Sequence, residues 1–118
     1  MFEAENIRDW RGHDVVDQDG KKIGELEAIY VDTSTDLPAF STVRVGFMGR
    51  RRLVLVPLHN ARVGPGWVKV DYGRGEVKNA PAIGVDGELL AENEPDVFRH
   101  YGLDYEAGTR GERRLARR

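Results

Sequence analysis

The sequence contains no cysteine, and that one absence removes several kinds of chemistry together. Disulfides, thiolate metal centres and cysteine nucleophiles are excluded, and a reducing cytoplasm is the compartment that fits. Histidine occurs at 13, 59 and 100 only, and no two stand at the i, i+4 spacing that would put two metal ligands on one helix face. Serine occurs only as Ser34 and Ser41, neither within a G-x-S-x-G elbow. No GxxxxGK[ST] phosphate loop is present, and Gly73-Arg74-Gly75-Glu76-Val77-Lys78 begins like a dinucleotide fingerprint but ends in lysine. The longest unbroken apolar run, Leu53 to Leu58, is far short of the roughly 20 residues that cross a bilayer. The opening MFEAENIRDW is acidic and has no apolar stretch, so it does not read as a signal peptide.

What remains is 118 residues, 40% hydrophobic and 32% charged, with 14 glycines, which suits one small, loop-rich globular domain. The net charge of −2 is unevenly spread. Residues 106–118 carry five arginines against two glutamates, and residues 1–105 carry 13 Lys/Arg against 18 Asp/Glu. The body is therefore acidic and the tail basic. An acidic body argues against broad binding to a phosphate backbone, whose affinity comes from cations.

Turn signals divide residues 12–75 into short segments, several with period-two patterning. Asp19-Gly20 predicts a hairpin between Val15-Val16 and a strand of about ten residues, IGELEAIYVD, with a bulge or bend near Gly24. TSTDLPA is a loop. In Thr42-Val43-Arg44-Val45-Gly46-Phe47 the apolar positions 43, 45 and 47 face one way, as in half-buried antiparallel sheet. Leu53 to Leu58 is apolar on both parities and predicts a strand covered on both faces, ending near Pro57. After the turn at RVGPGW, residues 67–72 alternate in a last strand, so five short strands at near-even spacing point to a small barrel or sandwich. Beyond Gly75, EVKNAP predicts one helical turn. Residues 91–101 predict a short helix with Val97, Phe98 and Tyr101 on one face and Gly102 as its C′ residue. From Glu106 onward the composition predicts a disordered tail.

Little in this pattern resembles catalytic machinery. Asp17-Gln18-Asp19-Gly20 shares letters with a calcium loop, but the glycine comes two residues early and position 28 is alanine. Among the acids Asp71 stands out for its apolar context, between Val70 and Tyr72, and alternation points it away from their face. The chain therefore reads as non-catalytic, with no metal and no cofactor. The most conspicuous feature is Arg50-Arg51-Arg52 in GFMGRRRLVLVPLHNA, at the tip between two strands. Such charges are solvated and discourage edge pairing, or they serve as a cationic knob for an acidic protein or a phosphate-bearing partner.

The order of four stretches resembles the PRC-barrel family: DVVDQDGKKIGELEAIYVD (14–32), PAFSTVRVGFMGRRRLVLVPLHNA (38–61), WVKVDYGRGEVKNAPAI (67–83) and LLAENEPDVFRHYGLDY (89–105). The resemblance is to free-standing bacterial members. It implies a mainly β fold: a small, highly bent antiparallel barrel of five to six strands with a short C-terminal helix. Residues 1–105 would form the domain, with a barrel core over 12–75 and a helical appendage over 76–105, and 106–118 a disordered basic tail. The family caps the photosynthetic reaction centre as the cytoplasmic domain of its H subunit and helps a ribosome-maturation factor dock on the small subunit. It implies adaptor behaviour and carries over no catalytic residue. The expected function is an interaction module with a protein partner, self-associating as a homodimer through exposed edges and apolar residues such as Trp10 and Trp67. Arg50, Arg51, Arg52, Trp67, Arg113 and Arg114 are the candidate contact residues. The alternative is an RNA- or ribosome-associated factor acting through Arg50–Arg52 and the basic tail.

Overall fold

A computed structural model describes residues 9–46, 51–83, 89–105 and 114–117. The strands are β1 (Asp14–Val16), β2 (Lys22–Asp32), β3 (Pro38–Val45), β4 (Arg52–Pro57), β5 (Arg62–Gly64), β6 (Trp67–Lys69), β7 (Ala82–Ile83) and β8 (Leu115–Arg117). Two helices, α1 (Arg74–Lys78) and α2 (Glu94–His100), lie between β6 and β8.

The first hairpin forms where Asp19-Gly20 predicts it. The Asp17 carboxylate accepts the backbone amides of Asp19 and Lys21, each at 2.9 Å, and so closes the turn with its own side chain. Val15 pairs with Gly24 and Val16 with Lys22, so Ile23 is an extra residue and the expected bulge sits beside Gly24. A Cβ on Gly24 would stand 2.2 Å from the Arg44 carbonyl oxygen, so a bare backbone is required where β3 crosses.

β2, β3 and β4 form an antiparallel meander at the centre of the sheet. β4 is buried from Leu53 to Pro57 on both parities, as its apolar sequence requires, and it stops at Pro57. The last predicted strand is shorter than its alternation suggests. β6 ends at Lys69, and Asp71 turns outward to accept the Gln18 side-chain amide at 2.8 Å.

The strand order is β5-β6-β1-β2-β3-β4-β7, with β8 added to β2. The structure thus corrects three expectations. Eight strands are present among the described residues, more than the five or six expected, because several are only two or three residues long and carry no readable alternation. The sheet is not wholly antiparallel, since β6 runs parallel to β1 with Asp14 opposite Trp67. No ladder joins β5 to β7 among the described residues, so the pairing leaves the sheet open rather than closed into a barrel.

The core joins both ends of the molecule. Val15, Ile29, Tyr30, Val43, Val54, Leu55, Val68, Val77, Leu89, Val97 and Leu115 all belong to one buried cluster. Trp10 is part of it at 7% exposure, so it is not the exposed apolar residue that the sequence suggested for self-association. Two buried tyrosines tie the helical appendage to the sheet. Tyr101 donates its hydroxyl to the Leu55 carbonyl at 2.5 Å, and the Leu89 amide donates to the Tyr30 hydroxyl at 3.1 Å. Burial holds the Tyr101 phenol far above the ordinary tyrosine range, with the Glu76 carboxylate adding to the shift. Phe98 packs between Phe40 and Tyr105, with ring centroids 5.1 and 5.0 Å away. Pro95 lies at the start of α2, and Gly102 follows it at φ 69°, the C′ position expected.

The expected disordered tail, 106–118, is corrected within its described residues, 114–117; residues 106–113 and 118 lie outside them. Residues 115–117 are strand β8, antiparallel to β2, with Leu115 fully buried. The basic composition predicts disorder because its one large apolar residue, Leu115, carries no periodic signal. The edge that β2 leaves beyond β1 supplies its partner.

Candidate interaction surface

β2 carries a second bulge. Leu26 pairs with Val43 and Ala28 with Thr42, so Glu27 has no opposite residue on β3. Bulges re-aim side chains, and Glu27 lies where two adjoining depressions meet. The larger, about 250 Å³, is lined by Glu27, Arg44, Arg51, Arg52, Leu53 and Ile83. The smaller, about 180 Å³, is lined by Arg11, Gly12, Glu25, Leu26, Glu27 and Arg44. Glu27 and Arg44 belong to both, so the two form one groove across the outer face of β2, β3 and β4.

The groove is cationic on its β4 side. Arg44 points outward by strand alternation, directly across from Glu25. Arg52 opens β4 opposite Val45, and its guanidinium donates to the Lys78 carbonyl, tying β4 to the end of α1. Glu27 is engaged by Arg117, whose guanidinium donates to its carboxylate at 2.7 Å. Arg44 and Arg51 are exposed and make no ion pair among the described residues. Two guanidiniums therefore face solvent above a floor of Leu53 and Ile83. Such an arrangement takes a carboxylate or phosphate group with an apolar side chain beside it.

The candidate residues named from sequence separate in space. Arg51 and Arg52 line the groove. Arg50 and Arg113 lie outside the described residues. Trp67 sits on β6, with three strands between it and β4. Its ring covers Gly64, where a Cβ would stand 2.0 Å from a ring carbon, and Lys69 Nζ lies 5.8 Å from the ring centroid. Trp67 thus packs its own hairpin. Arg114 is half-buried, and its Nε donates to Asp32 at 2.9 Å.

Three residues of interest were not singled out in the sequence. Arg44 shows outward parity there, but only the register brings it beside Arg51 and Arg52. Glu27 depends on a bulge that no letter announces. Glu94 is the third: its side chain is fully buried at the start of α2. One carboxylate oxygen accepts the Tyr105 hydroxyl and the Arg114 amide, both at 2.8 Å, and the other accepts the Leu115 amide at 2.9 Å. Burial raises the Tyr105 phenol, and its bond to Glu94 raises it further.

These features define a small, mainly β domain with a helical appendage. The PRC-barrel domain description matches residues 2–77, more than half of the chain, and the protein belongs to that family. The match stops before β7, α2 and β8. No curated protein matches the chain.

Proposed function

We propose that the protein is a non-catalytic interaction module of the PRC-barrel type that docks an acidic segment of a protein partner in the groove beside β4. The observation that carries this reading is the meeting of Arg44, Arg51 and Arg52 over the apolar floor of Leu53 and Ile83. Leu53 is 9% exposed, so the apolar part of the contact is a shallow seat and the guanidiniums supply the recognition. Self-association is part of the same proposal. β5 and β7 end the sheet, Val63 on β5 is exposed, and a second acidic body complements the groove. The absence of cysteine suits a reducing cytoplasm, where we place the module. Among the described residues no helix is long and apolar enough to cross a membrane.

The RNA-associated alternative draws on the same arginines, but two of its tail cations are already occupied. Arg114 is held by Asp32 and Arg117 by Glu27. The test is fluorescence anisotropy with two probes, a short peptide rich in glutamate carrying one leucine and a single-stranded RNA oligonucleotide. The peptide is expected to bind, weaken as salt rises, and be lost in an Arg44→Ala/Arg51→Ala variant. Arg52 is left intact because it also holds α1. Equal peptide binding by the variant overturns the proposal, and binding of the RNA alone favours the alternative.

A further inference from the structure

β2 is 11 residues long, and its two edges are served differently. β3 follows one edge from Glu25 to Val31, whereas β1 follows the other only from Lys22 to Glu25. Tyr30, Val31 and Asp32 would be a bare edge on that side if β8 did not pair with them through Arg117, Ala116 and Leu115. Around this edge stands a receptor for one extended segment. Leu115 fills a fully buried position. Asp32 and Glu27 hold the flanking guanidiniums of Arg114 and Arg117. The Arg114 carbonyl accepts the Thr33 amide at 2.8 Å, and Glu94 grips the two consecutive amides of Arg114 and Leu115.

Glu94 makes the arrangement selective. A fully buried carboxylate must be met by donors, and two of those it uses are amides of the incoming segment. A site that is costly to leave empty requires an occupant, and main-chain pairing with a side-chain pocket is the logic of β-strand addition. The segment is short, one buried leucine and a three-residue ladder with its flanking ion pairs and the Glu94 bonds, so it can open as a unit without unfolding the rest of the sheet. Its sequence connection to Tyr105, EAGTRGER, has alanine as its only apolar side chain.

We infer that the β2 edge beside Glu94 is a strand-receiving slot, filled in cis by Arg114–Arg117, that also accepts the same segment from a second copy by reciprocal exchange. This gives the self-association proposed above a second route, apart from the β5 and β7 edges, and rests on that proposal for its biological use, although the slot can be tested alone. In cis the segment competes at the high effective concentration of a tethered ligand, so exchange is favoured only as protein concentration rises.

The experiment uses full-length protein and a fluorescent peptide, ERRLARR, the sequence of residues 112–118. Leu115→Asp puts an unpaired carboxylate in the buried core position that Leu115 fills and expels the protein's own strand. This variant is expected to bind the peptide at least about tenfold more tightly than wild type, in which the tethered segment competes. Adding Glu94→Gln replaces an acceptor with a donor facing two amides, and is expected to weaken the peptide by at least about tenfold. A folded Leu115→Asp variant that ignores the peptide overturns the slot, as does indifference to Glu94→Gln. Should Leu115→Asp not fold, hydrogen exchange on the wild type decides. The amides of Arg114 and Leu115 must open at least about a hundredfold more readily than that of Val54, and equal protection overturns the inference. Peptide binding by a wild type that stays monomeric would retain the slot and reject self-association. A dimer unaffected by Leu115→Asp would do the reverse.

Discussion

Ser41 and Glu94 are both fully buried polar residues, and they are treated in opposite ways. Glu94 is surrounded by donors. The Ser41 hydroxyl, in the middle of β3, has no hydrogen-bond partner among the described residues. A hydroxyl buried without a partner costs about 1–3 kcal/mol. Ser41→Ala removes that penalty with hardly any change in volume, so it is expected to raise stability by about 1 kcal/mol in urea denaturation. A loss of similar size would mean that the hydroxyl is satisfied. Neither residue can be evaluated from its neighbours in sequence. Glu94 precedes Pro95 at the start of a helix, a place where acids are ordinary, and two of its donors come from a segment 20 and 21 residues later.

Among the elements, those with a strong local signal were legible. Asp19-Gly20 marked the first hairpin and Gly102 the end of α2, whereas β3, read as half-buried, has Thr42 buried along with Val43 and Val45 and only Arg44 outward, and Phe47 lies outside the described residues. β7 and β8 were not, because short strands lack a period and their existence depends on an edge made elsewhere. The groove was legible by half: the arginine run is obvious, while Arg44 and Glu27 join it only through register. β8 also has a pH dependence. Burial alone would raise the Asp32 carboxyl, but hydrogen bonds from Arg114 and Ser34 outweigh it and hold the group below the usual carboxylate range. A depressed carboxyl contributes stability above its unfolded pKa of about 3.9, and that contribution is lost as pH falls through the folded value. Arg114→Ala is expected to be less stable than wild type by up to about 1 kcal/mol near neutrality, with the gap closing below about pH 4. Chemical denaturation at both pH values measures it, and a constant gap would show that the guanidinium acts through something other than Asp32.

At the scale of the whole molecule, charge is segregated. An acidic body presents a cationic groove, and the described part of the basic tail, Arg114–Arg117, is held by Asp32, Glu27 and Glu94. This distribution favours contact between unlike faces of two copies over a sheath of nucleic acid. Light scattering is expected to shift from the 13.3 kDa chain mass towards twice that value as protein concentration rises, and a constant single-chain mass would remove self-association. The parallel contact between β1 and β6 has a consequence in time. Asp14 must meet Trp67 across more than fifty residues of chain, whereas β2, β3 and β4 pair with sequence neighbours. Loop-closure entropy delays such distant pairing until the nearer contacts exist. The meander is therefore the natural nucleus of folding. The β5–β6 hairpin, with Trp67 over Gly64, joins the sheet after that meander, and β8, whose partners on β2 lie more than eighty residues away, locks on later still and loosens first.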